Sequence, residues 1–401
     1  MVKRNLLIEG WVSYAHSYAL VNIYQIISLL RSDDINVYFL EVEPYKESWE
    51  KINIVDTIIT RQEYNLLQEK MIIYDKEKHS DIIDVIYRIS YNYDISSSGI
   101  YKSNGNIVPI ILFYTSEFQV FDNTNFSTSV DDFITKCFDK KLLPITPSNW
   151  SAEALRQFKF DPLVISHGTD VSKYFPMSLQ ERLDLRKEFE IPKDAFVFLH
   201  IGACTSNKNV KGIIKAFYNL SLINDREIYL ILKGIEQLYQ CQEKIQLYVR
   251  ELIKEGVINK QIWKDISKKM LYMMDVFTFN EMNELFNVSN CYVSPYLSEG
   301  FNLPVLDAMA SGIPSIISRG GPTDDFTNEH TSKYPVTVKM VTKSFEKLLV
   351  VDDKSLLNEM SSMIQDTEFC KNVRIYGPNH VKKNYTWKKI TDKLLNFINY
   401  I

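Results

Sequence analysis

The stretch Ser294–Ile317, SPYLSEGFNLPVLDAMASGIPSII, decides the reading of the fold. The apolar run CYVSPY that leads into it reads as a strand. Pro304 fits the first turn of a helix and Gly312 closes that helix. IPSIIS then resumes strand character. Strand, loop, helix and strand in that order make one unit of a parallel α/β sheet. The loop SEGFN therefore lies at the carboxyl end of a strand and the amino end of a helix, where ligands bind in open α/β sheets. Backbone amides from Gly300 through Phe301 and Asn302 to Leu303, with the helix dipole, favour an anion such as a phosphate. Glu299 and Asp307 flank that position. A carboxylate accepts two hydrogen bonds from neighbouring sugar hydroxyls, so two acids around a phosphate cradle suggest a nucleotide sugar. The plainer reading of the same residues is ordinary capping chemistry with Asp307 as a solvated acid.

Working outward, strands alternate with helices in both halves of the chain. RNLLIEGW and INVYFLEV read as early strands, with the helix SYALVNIYQIISLLR after the first, and DIIDVIYRI and IVPIILFYT read as further strands or buried segments. KLLPITPSNWSAEALRQF reads as a strand, a cap at Ser148 or Asn149, and a helix. A second series opens with the strand AFVFLHIG and the helix NVKGIIKAFYNL, and continues through EIYLILKG. The expected fold class is α/β, with two Rossmann-like, doubly wound parallel-sheet domains. Residues 1–175 form the first, the polar segment 176–194 the linker, residues 195–382 the second, and 383–401 a terminal amphipathic helix.

A chain of 401 residues exceeds one ordinary core, which agrees with two domains. The formal net charge of −4 gives no support to a nucleic-acid binder. The five cysteines are scattered and form no CxxC pair, which favours reduced thiols and argues against a zinc site. No apolar run approaches a membrane span, and the N-terminus lacks the apolar core of a signal peptide. The expected location is the cytosol, with peripheral membrane contact if the acceptor is lipid-linked.

SEGFNLPVLDAMASGIPSII resembles the E-x7-E region of retaining glycosyltransferase family 4, written E-G-F-G-L-P-x-x-E-A-M-A-x-G-x-P-V. ISHGTDVSKYFP, FLHIGACTSNKNVKGIIKAF, YLILKG and GGPTDDF resemble further segments of that family in the same order. The resemblance implies a GT-B fold, its two domains facing across a cleft, with the acceptor on the first domain and a nucleoside-diphosphate sugar on the second. It implies that Glu299 holds donor-sugar hydroxyls and that Asp307 takes the ribose diol. Lys208, on the loop that Gly202 begins, and Lys233, at the end of the next strand, would neutralise the diphosphate. Three departures stand out. Asp307 is one methylene shorter than the usual glutamate. Ala203 stands where many members have arginine. Asn302 replaces the second glycine and would crowd or contact the diphosphate. Base recognition would fall around Phe277 to Phe279. The C-terminal helix near Trp387 would return to the first domain.

In the first half, His16 and Ser17 would sit at a helix start after the first strand, where the family places a loop facing the interdomain cleft. His16 reads equally as a catalytic residue and as a capping or packed histidine. Glu117 in FYTSEF is a weaker acceptor-side candidate, and His167 reads as structural. The chain lacks Walker, GxGxxG, GxSxG and HExxH motifs and any DxD pair, so no cofactor and a metal-independent reaction are expected. The leading reading is a retaining transferase acting on a glycan, lipid-linked or protein acceptor. A nucleotide-sugar epimerase or hydrolase on the same fold is one rival. A catalytically weak, glycan- or partner-binding subunit is another.

Overall fold

The computed structural model describes residues 3–91, 108–121, 129–139 and 141–401. The chain divides into two compact units, Met1–Gly168 with Tyr385–Ile401, and Thr169–Asn384.

Among the described residues, the first unit holds seven strands: β1 (Arg4–Gly10), β2 (Ile35–Glu41), β3 (Ile72–Ile73), β4 (Val85–Ile89), β5 (Ile110–Phe113), β6 (Leu142–Thr146) and β7 (Leu163–Val164). All pair in parallel, in the order β3-β2-β1-β4-β5-β6-β7. The second unit holds β8 (Phe196–Ile201), β9 (Ile228–Lys233), β10 (Met270–Met273), β11 (Cys291–Ser294), β12 (Ser315–Ile317) and β13 (Ser332–Lys333). They too are parallel, in the order β10-β9-β8-β11-β12-β13. The strands read as nearly unbroken apolar runs because helices cover both faces of a parallel sheet. In each sheet the strand order reverses direction beside the first strand, at β1/β4 and at β8/β11. Such a reversal opens a crevice at the carboxyl ends of the strands.

A two-stranded antiparallel ribbon, β14 (Thr337–Val341) and β15 (Lys347–Val351), stands apart from the second sheet. The second core lies between sheet and helices, with Phe198, Leu230, Ile213, Phe217 and Met360 at its centre.

The C-terminal helix Trp387–Tyr400 belongs to the first unit. Trp387 stacks on Tyr24 at 5.2 Å, and a β-carbon at Gly168 would come within 2.6 Å of the Trp387 amide nitrogen. The segment 176–194, expected as the linker, is instead built into the second unit. It contains the helix Leu179–Glu188, opened by a capping box of Ser178 and Glu181. Arg182 and Arg186 donate to the carbonyls of Asn287, Val288 and Ser289. These arginines satisfy the open carbonyl end of the helix Phe279–Val288. The polar composition that suggests a linker is thus what fastens the segment down.

Candidate donor site

Two loops meet at the β8/β11 reversal. The first leaves β8 at Ile201, where the Gly202 amide still donates to the Lys233 carbonyl at 2.9 Å. It passes through a single turn, Ser206–Lys208, to the helix Val210–Ile223. Asn209 makes that junction with φ of 55°, a left-handed conformation open mainly to glycine and asparagine. The second loop runs from β11 to the helix Leu303–Ala310.

Asparagines bind the two loops together. Asn207 Nδ2 donates to the Ser298 carbonyl at 3.1 Å, and the Asn207 carbonyl accepts from the Leu297 amide at 2.7 Å. Asn209 Nδ2 donates to the Pro295 carbonyl at 3.0 Å. Between these ties, Lys208 Nζ lies 2.6 Å from Glu299 Oε1, with the side chains only 16% and 9% exposed. Lys208 is therefore a partly dehydrated cation, held against the first of the two acids.

Asn302 enters the helix with φ of 76° and turns its side chain to Ser294 Oγ, at 3.0 Å. It takes the family's glycine position because the backbone there is left-handed. Its side chain is directed into the β11 strand end and not outward as the sequence suggests. Phe301 is buried and stacks on Phe326 at 4.7 Å. Gly300 is buried too, while Leu303 is half-buried. At the far end of the helix, Gly312 adopts φ of 72° against the Arg374 backbone.

Asp307 sits within this helix and accepts a 2.5 Å hydrogen bond from Thr169 Oγ1. Part of the residue's surface stays open, but its carboxyl lies among dense protein. Desolvation pushes that carboxyl up to about 7, the Thr169 hydroxyl works against the rise, and the Asp170 charge adds to it.

Lys233 is buried at the end of β9. Its ammonium donates to the carbonyls of Gly234 at 2.5 Å and Asp275 at 2.6 Å, and lies 4.8 Å from the Phe277 ring centre. Burial lowers it to about 8. One of its protons thus closes the end of β9 and another ties it to the segment after β10, which leads to the residues expected to meet the base. Ala203 is half-buried beside the loop glycine.

Two buried polar atoms at the site have no hydrogen-bond partner among the described residues: His200 Nε2 and Ser298 Oγ. His200 Nδ1 is 2.8 Å from the Val293 carbonyl, which makes Nδ1 the protonated nitrogen and Nε2 an acceptor. Burial pulls this imidazole down to about 4, so it is neutral at physiological pH. A β-carbon on Gly202 would lie 3.6 Å from His200 Nε2 and 4.0 Å from Lys208 Cγ, which places both near the loop floor. Sequence reasoning did not single out His200, Ser298, Asn207 or Thr169. The available signal was position, since each adjoins or nearly adjoins a motif residue.

The first-unit candidates occupy other settings. His16 caps the helix Ser17–Leu30 by accepting from the Tyr18 amide at 3.2 Å, and packs on Trp49 at 4.9 Å. Ser17 is exposed. The Glu117 carbonyl accepts from Trp150 Nε1 at 2.7 Å. His167 is buried against Phe113, and burial lowers its imidazole to about 3.

Residues 181–380 match the family described as Glycosyl transferases group 1. O-antigen chain mannosyltransferase B of Escherichia coli is 26% identical over 212 residues, which is 52% of this chain and 51% of that protein. The E. coli UDP-Gal:alpha-D-GlcNAc-diphosphoundecaprenol alpha-1,3-galactosyltransferase is 23% identical over 236 residues, 57% of this chain and 54% of that one. The chain spans about half the length of these curated relatives. Among solved structures, Anabaena Alr3699/HepE in complex with UDP-glucose aligns with a TM-score of 0.67 at 14% identity, over 99% of this chain and 100% of that one. A Rickettsia africae glycosyltransferase aligns with a TM-score of 0.70 at 11% identity, over 100% and 99%. The fold is GT-B, and through residues 181–380 the chain belongs to the group 1 glycosyl transferases.

Proposed function

We propose that this chain transfers a sugar from a nucleoside-diphosphate sugar to an acceptor, with retention of anomeric configuration and without a metal. The observation that carries the reading is the Lys208–Glu299 pair, held between two asparagine-tied loops beside a helix amino end. Lysine has three donors. Lys208 can keep Glu299 on one and offer another to the donor diphosphate, stabilising the charge that grows there as the sugar departs. Glu299 takes the sugar hydroxyls and Asp307 the ribose diol. The sugar–phosphate bond breaks, the acceptor oxygen bonds to the anomeric carbon, and the acceptor proton passes to the leaving diphosphate.

The HepE complexes with UDP and UDP-glucose support a nucleoside-diphosphate donor. The lipid-linked substrate named for the E. coli galactosyltransferase favours a lipid-linked acceptor over a free glycan or a protein. No helix among the described residues is long and apolar enough to cross a membrane, so such an acceptor would be met at the membrane surface. The test is thermal stabilisation by UDP and GDP with chelator present, in wild type and Lys208→Ala. A ligand that binds only the native state raises the melting temperature. Stabilisation that survives chelator and falls in the variant is expected. Stabilisation abolished by chelator and untouched by Lys208→Ala would overturn the metal-free cradle. Release of free or altered sugar from donor alone would instead favour a hydrolase or epimerase.

A further inference from the structure

The β14–β15 ribbon turns an apolar face to solvent. Val338 pairs with Val350 and Met340 with Leu348, and the two-residue period of a strand puts all four on one face. Val338 is 58% exposed and Met340 50%. Val336 is exposed beside them, and Val341 is exposed on the opposite face near the tip. The opposite face is anchored: Leu349 and Val351 are buried, and the Leu349 amide donates to the Leu297 carbonyl at 2.7 Å.

The tip is costly to the fold. The Thr342 amide donates to the Glu346 carbonyl at 2.9 Å, and the Phe345 amide to the Thr342 carbonyl at 3.0 Å. This closes a three-residue loop whose last position is left-handed, a place normally given to glycine. Phe345 stands there with φ of 65° and is 73% exposed. A bulky residue is strained in that conformation, and this one buries almost nothing in return.

Charge identifies what the ribbon meets. It carries Lys339, Lys343 and Lys347 against one acid, Glu346, in a chain of net charge −4. The Glu346 carboxylate accepts from Ser344 Oγ at 2.9 Å, within the tip itself. A second copy of the ribbon would bring like charges together, and lysines along a strand edge oppose strand addition. An anionic bilayer satisfies both features. The apolar face and Phe345 enter the headgroup boundary with Lys343 at the tip, while Lys339 and Lys347, which the strand period places on the opposite face, reach the phosphates along their flexible stems. We propose that the β14–β15 ribbon inserts into the surface of anionic phospholipid membranes. This goes beyond the donor site and does not depend on it.

The test is co-sedimentation of the full chain with phosphatidylcholine vesicles, with and without phosphatidylglycerol. Binding is expected only with phosphatidylglycerol and should weaken with salt. Phe345→Gly separates folding from function, because glycine relieves the left-handed strain. Its melting temperature should match or exceed wild type while vesicle binding falls about tenfold, the scale of one lost phenyl burial. Lys343→Glu with Lys347→Glu should weaken binding further, and UDP stabilisation should persist in all three proteins. Wild type that ignores phosphatidylglycerol vesicles overturns the proposal. So does a Phe345→Gly variant that binds them as wild type does, or a self-association that Phe345 controls while vesicles go unbound.

Discussion

Two acid–base pairs stand at matching places in the two sheets. In the first unit, Glu9 of β1 and Arg88 of β4 face each other in register across the strand reversal. Arg88 Nε and Nη2 lie 2.6 and 2.5 Å from the same Glu9 oxygen, and both residues are buried. In the second unit, Lys208 and Glu299 lie beyond the ends of β8 and β11, on the loops. The fold, the reversal and the charge chemistry are alike, but the position along the strand differs. A pair within the strands is part of the sheet's own register. A pair on the loops is carried by the sheet and available to a ligand. The first should therefore govern stability and the second turnover.

The largest effect should come from breaking the in-sheet pair. Arg88→Met leaves the Glu9 carboxylate buried without its cation, which costs about 3–5 kcal/mol. Denaturant unfolding should show that loss, and Glu9→Leu added to Arg88→Met should recover much of it. A variant as stable as wild type would remove the distinction between the two pairs.

The loop pair should answer differently. On the proposed reading, Glu299→Gln keeps the size but loses the charge beside a sugar that acquires positive character. Turnover should fall roughly 100-fold or more, the scale of one lost preorganised contact. UDP affinity should hold or rise, because Lys208 is relieved of its partner. Near-normal turnover, or an affinity loss as large as the rate loss, would take Glu299 away from the donor sugar.

The contrast between the pairs also marks what the sequence made legible. The unit around Ser294–Ile317 could be read because proline, glycine and apolar runs act locally. Glu299 and Lys208 could each be named, but their 2.6 Å contact depends on Asn207 and Asn209, whose residue type signals nothing. Asn302 looked like an obstruction because φ cannot be read from an asparagine. The segment 176–194 looked like a linker because arginines serving helix carbonyls have the same composition as a solvated tether. His200 carries no motif, and what draws notice is its buried Nε2, which has no hydrogen-bond partner among the described residues.

Asp307 sharpens the comparison further, since its proposed ribose contact comes with a cost to the fold. Its carboxyl is raised from an ordinary 3.8 to about 7 by burial. Between those values the native chain keeps a proton that the unfolded chain has released, so this group makes stability fall as pH rises through that window. Asp307→Asn abolishes the penalty. It should melt higher than wild type at pH 8 yet bind UDP about tenfold more weakly, on the scale of a lost charged hydrogen bond. The rise of wild-type UDP affinity through pH 7, where the carboxylate forms, should flatten in the variant. Equal affinities in the two proteins would remove Asp307 from the site.

The smallest effect belongs to Thr169, whose hydroxyl donates to Asp307 at 2.5 Å. That bond favours the carboxylate, opposing both burial and the neighbouring Asp170 charge. Tyr174 and Tyr292, whose hydroxyls are themselves raised in part by the Asp307 charge, are the other titratable neighbours and stay neutral throughout. Thr169→Val keeps the shape but removes the donor, so Asp307 should hold its proton to higher pH. The midpoint of UDP affinity against pH should move up by roughly one unit, the equivalent of one hydrogen bond to a charged group. Affinity should drop several-fold near pH 6.5 and converge on wild type well above the shifted midpoint. Thr169→Ser should restore the original profile. If Thr169→Val weakened UDP equally at every pH, the hydroxyl would be filling space, and the shorter acid would reach the ribose without its help.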